Sequence, residues 1–243
     1  MSLLLVFAFL FFAGSLIGWC IEVLYRRFVA NRKTKKWINP GFLNGPYLPL
    51  YGFGLCALYL LAQIDVSFIP VKWLADLVLF IMMAIVMTAI EFVAGLIFIR
   101  GMKIKLWDYS TRPGNIGGII CPLFSFFWAV LSAVYYLFIH PYVEQSIAWL
   151  SGHLVFSFVI GFFFGVLTID FCVSIQLTAR IRRFAKDNHI VVRYEALKTH
   201  IATLSAEHKK KAKFLFAFHT EMPFSGILRR YLKNENKTEQ NQK

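Results

Sequence analysis

Four stretches of this chain, residues 3–25, 73–99, 119–139 and 153–179, each run for more than 20 residues without a Lys or Arg. A hydrocarbon core about 30 Å thick is crossed by roughly 20 apolar residues in a helix, so each stretch is long enough to span one. A fifth, shorter run covers 48–64. Soluble domains are about 45–50% apolar and about 25% charged; here the figures are 58% and 16%, with 26 Phe. One core cannot bury that much apolar surface. A disordered chain is excluded for the opposite reason, because the drive toward burial is too strong. The expectation is an all-α polytopic membrane protein with five transmembrane helices, at about 3–25, 48–64, 73–99, 119–139 and 153–179. The first run ends at Arg26-Arg27 and not at a small-residue cleavage site, so it reads as a spanning helix and not a signal peptide.

Charge sets the direction. With the N-terminus outside, all but Lys72 of the 26 Lys and Arg fall on the inner side, as the positive-inside rule requires. The reading is N-out and C-in, with residues 1–180 as the transmembrane domain and 181–243 as a basic helical tail in the cytoplasm. Within that tail Ile190, Tyr194, Leu197, Ile201 and Leu204 recur at helical spacing. This predicts a basic amphipathic helix, lying on the anionic inner leaflet or continuing into water. A short apolar patch at 224–232 and a disordered end at 234–243 follow. The expected partners are therefore the bilayer and its anionic lipids at the tail. The inner leaflet accounts for the formal charge of +13, so no nucleic acid is invoked. Self-association into a homo-oligomer stays open.

An internal repeat singles out certain residues. Glu22 precedes Trp37 by 15 residues and Asn44 by 22; Glu91 precedes Trp107 by 16 and Asn115 by 24; Pro49 and Pro122 follow. Both units run from outside to inside, so the repeat of helix plus loop is parallel, a plan in which transporters bind substrate at the repeat interface. Glu22, Glu91 and Asp170 precede Arg32, Arg100 and Arg180 by 10, 9 and 10 residues, which places the three acids at similar depth. An intramembrane carboxylate costs roughly 2.5–3.5 kcal/mol on insertion scales and faces a cavity, a partner or a cation. Meeting at one level, the three cannot all ionise unless a cation or base intervenes. Alternatively each is satisfied separately by Trp, Tyr or Ser on a neighbouring helix.

The inner segments after these acids are unusual. Residues 39–54 crowd four Gly and three Pro among aromatics, a density that opposes regular helix. The segment is too apolar for a free loop, and irregular backbone near a membrane survives only when buried in protein or lining a wet cavity. Two re-entrant, irregular elements are expected, the second holding Trp107, Asp108, Tyr109, Ser110 and Asn115. With Glu22, Trp37, Asn39, Asn44, Tyr51, Glu91 and Asp170 they would line an inward-facing polar cavity. The alternative for the Asn and Ser residues is that they cap helices and satisfy loop backbone.

Cys20, Cys56, Cys121 and Cys172 form no CxxC pair and read as small buried hydrophobes. His140, Glu144 and His153 are too loosely spaced for a metal set. No metal or cofactor is expected.

The run Trp37-Ile38-Asn39-Pro40-Gly41-Phe42-Leu43-Asn44-Gly45-Pro46-Tyr47-Leu48-Pro49-Leu50-Tyr51-Gly52, with Glu22 before it, resembles a bacterial family. So does Glu91 followed by Leu106-Trp107-Asp108-Tyr109-Ser110, Asn115 and Gly117. The family is that of the ABC-transporter type IV, or CmpB-like, permeases, and the resemblance covers about residues 10–180. It implies a permease subunit of an ATP-driven transporter in the bacterial cytoplasmic membrane, with a separate ATPase. It carries over no substrate and no catalytic residue.

Three functions are weighed. The first is a transport component, powered by a separate ATPase or an ion gradient because the chain has no GxxxxGK[ST] loop. The second is a membrane-embedded enzyme acting on lipid headgroups, with the carboxylates as acid and base; no Ser-His-Asp, HExxH or Cys–His set supports it, and catalytic residues stay unassigned. The third is a scaffold or regulator that docks a partner through its basic tail.

Overall fold

A computed structural model describes residues 2–30, 37–188, 190–207 and 226–233. The basic run at 32–36, the lysines at 209–211 and the polar end at 234–243 lie outside the described residues. Where water is absent, a chain must satisfy its backbone N–H and C=O groups within the segment, and a helix does so. The apolar stretches accordingly form α1 (Leu3–Tyr25), α2 (Pro49–Ala62), α3 (Lys72–Leu96), α4 (Pro122–Val134), α5 (His140–Gly152) and α6 (Ser157–Asp187). Turns of π-helix at Arg26–Ala30, Ile97–Met102 and Tyr135–Ile139 carry α1, α3 and α4 onward. Four helical stretches are long and apolar enough to cross a membrane: Leu3–Val29, Lys72–Met102, Pro122–Gly152 and Leu154–Asp187. The fifth, α2, has 14 residues and rises about 21 Å.

Three local expectations are corrected. The stretch between the expected spans ending at 139 and starting at 153 is helix α5; its proline lies in the first turn, where a missing N–H leaves no bond unmade. Gly52 and Gly54, read among breakers, lie inside α2 and are buried. Cys20 and Cys172 are exposed and only Cys121 is fully buried; exposed Ile21 and Leu24 adjoin Cys20, and exposed Phe171 and Val173 adjoin Cys172.

The chain forms two compact units. The first comprises Met1–Trp19, Tyr47–Leu96 and Asp108–Thr168. In it α3 packs against α2 and α4 around Leu58, Leu79, Met83, Met87, Trp128 and Tyr135. Glycines close α1 onto α2: a Cβ at Gly18 would lie 2.2 Å from the Tyr51 side chain, and one at Gly52 would lie 2.4 Å from Ser15 Oγ. Small residues allow such backbone approach between apolar helices. Gly18→Leu is therefore expected to destabilise this unit by about 1–3 kcal/mol through overpacking. Gly101→Ala, which has nothing within 4 Å of the added carbon, serves as the control in the same thermal-unfolding comparison.

The second unit comprises Cys20–Pro46, Ile97–Trp107 and Ile169–Lys243. Two short strands, β1 (Ile104–Lys105) and β2 (Val192–Arg193), pair in parallel here, a departure from an all-helical chain. Ile104 and Val192 are fully buried, and buried backbone must find partners. After β2 come α7 (Tyr194–Glu207) and α8 (226–233). Their apolar positions, Leu197, Ile201, Leu204, Ile227, Leu228 and Tyr231, join Ile104, Leu106, Ile181 and Ala185 in one core. The helical period expected in the tail is present from Tyr194 to Leu204 but not at Ile190, which precedes strand β2; the apolar face of α7 is buried in protein and not laid on lipid or left in water.

Candidate functional site

The second unit is organised around the segment Asn39 to Gly45. Prolines at 40 and 46 and glycines at 41 and 45 oppose helix here, and Gly41 takes a φ of +74°, which glycine adopts freely. Every polar group of such a turned chain needs a destination, and side chains provide it. Asn39 is 1% exposed; its Nδ2 donates to the carbonyls of Leu43 and Asn44 at 3.3 and 2.9 Å. The backbone N–H groups of Asn44 and Gly45 donate to the Asp170 carboxylate on α6 at 2.9 and 2.8 Å. Asn44 Nδ2 donates to Asp170 Oδ1 at 2.8 Å and to Ser174 Oγ at 3.1 Å, and the Ser174 hydroxyl donates to the same carboxylate oxygen.

Helix α7 grips the other side of the turn. Lys198 Nζ donates to the carbonyls of Asn39 and Gly41, both at 2.9 Å, and the Tyr194 hydroxyl donates to the carbonyl of Phe42 at 3.1 Å. Burial pushes the Lys198 amine down to about 7; the charge of Arg26 acts the same way and that of Asp170 opposes it. Burial raises the Tyr194 phenol well above its ordinary range, assisted by the Asp170 charge. Nearby, Arg26 Nε donates to Glu22 at 2.8 Å and the same guanidinium pairs with Glu195 on α7. Arg27 lies over the Trp37 ring, 5.1 Å from its centroid. Trp107 packs against the core of this unit.

Glu91 belongs to the first unit and has its own partners. It is 3% exposed on α3. The Tyr109 hydroxyl donates to its Oε1 at 3.0 Å and Trp128 Nε1 donates to its Oε2 at 2.9 Å. Tyr109 stacks on Phe124 with centroids 4.2 Å apart, and Tyr51 lies 5.5 Å from the Trp128 ring. Asp108, Ser110 and Asn115 knit the loop that presents Tyr109. Ser110 N–H donates to Asp108 Oδ1, Asn115 Nδ2 donates to the carbonyls of Ser110 and Arg112, and Gly118 N–H donates to Asn115 Oδ1. Left-handed glycines at 114, 117 and 118 make that fold-back feasible. Glu91→Gln turns an amide N–H₂ toward one of the two donors. It is expected to lower stability by about 1–3 kcal/mol, read as a fall in the unfolding midpoint, while Glu144→Gln on the exposed face of α5 leaves it in place.

The structure thus brings Asn39, Asn44 and Asp170 together, pairs Glu22 with Arg26, and gives Glu91 to Tyr109 and Trp128. Each of the three acids has its own donors, the alternative that the sequence had left open. Four contributors escaped the sequence reading: Tyr194, Lys198, Ser174 and Trp128. Two carried a signal. Ser174 lies four residues after Asp170 on a helix, and Lys198 falls inside the buried stripe of Tyr194, Leu197 and Ile201. In the loosely spaced outer trio, His140 lies 3.4 Å from Glu144, whereas His153 stacks on Trp149.

Compared with known families, residues 9–175 match the family described as Putative ABC-transporter type IV. No curated protein and no solved structure matches.

Proposed function

The chain belongs to the ABC-transporter type IV family whose description it matches over residues 9–175, and from that premise we propose that it is the membrane-spanning component of an ATP-driven transporter. The observation that carries the reading is the coincidence of that match with four helices long and apolar enough to span. Five spans, N-out and C-in, in a bacterial cytoplasmic membrane suit the charges best. If α2 did not cross, the segment after α3 bearing Arg100, Lys103 and Lys105 would lie outside, against the positive-inside rule. The two inner loops and their acids repeat in parallel under this topology.

The cytosol-facing polar region centres on Asp170, Asn44, Asn39 and Glu22, and Glu91 with Tyr109 forms a second polar centre. With no phosphate-binding loop in the chain, nucleotide hydrolysis falls to a separate subunit. A scaffold role is the second reading, favoured by one observation: the intramembrane acids are supplied with protein donors and do not stand open to a ligand. Purification of the tagged full chain from native membranes separates the two. Co-elution of a nucleotide-hydrolysing subunit is expected; a pure chain, or a partner without ATPase activity, contradicts the transport reading.

A further inference from the structure

Helix α6 changes chemistry along one exposed face. Ile169, Val173, Gln176, Arg180 and Arg183 succeed one another at intervals of four, three, four and three residues, which stacks them in a single stripe. Ile169 and Val173 are 68% and 54% exposed, and Gln176, Arg180 and Arg183 are exposed as well. The opposite face, Ser174, Thr178, Ile181 and Ala185, is buried. Large aliphatic side chains left outside on a helix of this kind meet acyl chains. About two turns later the same face offers guanidinium groups, flanked by exposed Arg182 and Lys186. From Ile169 to Arg180 the helix rises about 16 Å, about the depth of one leaflet's hydrocarbon. Asp187 closes the stripe and is the one exposed acid among the described side chains of this unit.

We propose that Arg180 and Arg183, with Arg182 and Lys186 beside them, form a binding surface for anionic phospholipid headgroups where α6 leaves the bilayer. This rests on the membrane placement above and moves the lipid contact from the tail helix, whose apolar face is taken up by the protein core, to the end of α6. Planar guanidinium groups suit phosphate oxygens through paired N–H donors. A snorkelling arginine also keeps its aliphatic stem beside acyl chains. An acidic protein would be drawn by the charge, but the run of aliphatic side chains directly into arginine on one face fits a lipid, which offers both layers.

The test quantifies lipids retained by the full chain after extraction from membranes containing phosphatidylglycerol and phosphatidylethanolamine. The samples are wild type, Arg180→Gln/Arg183→Gln, and Arg229→Gln/Arg230→Gln on α8 as a control. Phosphatidylglycerol retention relative to phosphatidylethanolamine is expected to drop about five-fold per arginine lost from α6 and to hold in the α8 control. An unchanged ratio overturns the proposal, as does an equal drop in the control. Loss of a co-purifying protein with the lipid ratio intact overturns it in favour of an acidic partner. Carbonate-resistant insertion is scored on the same samples: an inserted chain with an unchanged ratio removes this inference alone, whereas an extractable chain removes the membrane placement itself.

Discussion

Asp170→Ala is expected to cost the second unit about 3 kcal/mol, because several hydrogen bonds to one charged, half-buried acceptor are lost together. Four donors converge on this carboxylate: two backbone N–H groups from Asn44 and Gly45, the Asn44 amide and the Ser174 hydroxyl. Backbone donors have no rotamer to escape to, so alanine leaves them half-buried without this acceptor. Asp170→Asn keeps one acceptor oxygen and turns an N–H₂ toward the remaining donors, so its cost falls between alanine and wild type. Thermal unfolding of the full chain in detergent measures both. A change below about 1 kcal/mol for alanine would show that the turn does not depend on this residue.

Lys198→Met is expected to lower stability by about 2 kcal/mol, since two backbone carbonyls lose their donor. It is also expected to alter the pH dependence, and the sign follows from proton counting. The folded amine lies at about 7 against 10.5 for the ordinary lysine. Between these values the unfolded chain holds a proton that the folded one lacks, so stability rises with pH across that window. Below about 7 both states are protonated and this residue contributes no slope. Subtracting the methionine variant's pH profile from that of wild type removes tyrosine and cysteine titrations common to both. The difference should climb from neutral toward alkaline pH; a flat difference means the amine stays charged among the carbonyls.

What was legible in the sequence follows from which physical constraint acts locally. A bilayer demands long apolar helices, so the stretches 3–25 and 73–99 stand out by length and by lack of Lys and Arg. Asp170 and Glu91 stood out because a carboxylate inside such a run must be accounted for. Their partners were not legible. Asn44 meets Asp170 across 126 positions, and Trp128 looks like any other aromatic in an apolar helix until its indole N–H is placed. The stripe on α7 revealed which face is buried but not against what, because periodicity is the same whether the neighbour is lipid or protein. Lys198 was counted as one more inner charge, although its position among Tyr194, Leu197 and Ile201 sets it apart from Arg193 or Lys186. Asp108, Ser110 and Asn115 read either as lining a cavity or as satisfying loop backbone, and their hydrogen bonds shape the loop that carries Tyr109.

The central claim is that the 39–45 turn is held shut by two side chains from α6, Asp170 and Ser174, and two from α7, Tyr194 and Lys198; α7 lies outside the family's region. Amide hydrogen exchange on the full chain addresses it directly at Asn44 and Gly45. Slow exchange in wild type is predicted, faster by about 100-fold in Asp170→Ala and by about 10-fold or more in Lys198→Met. Rapid exchange at these two amides in wild type, unchanged by either substitution, would contradict the account.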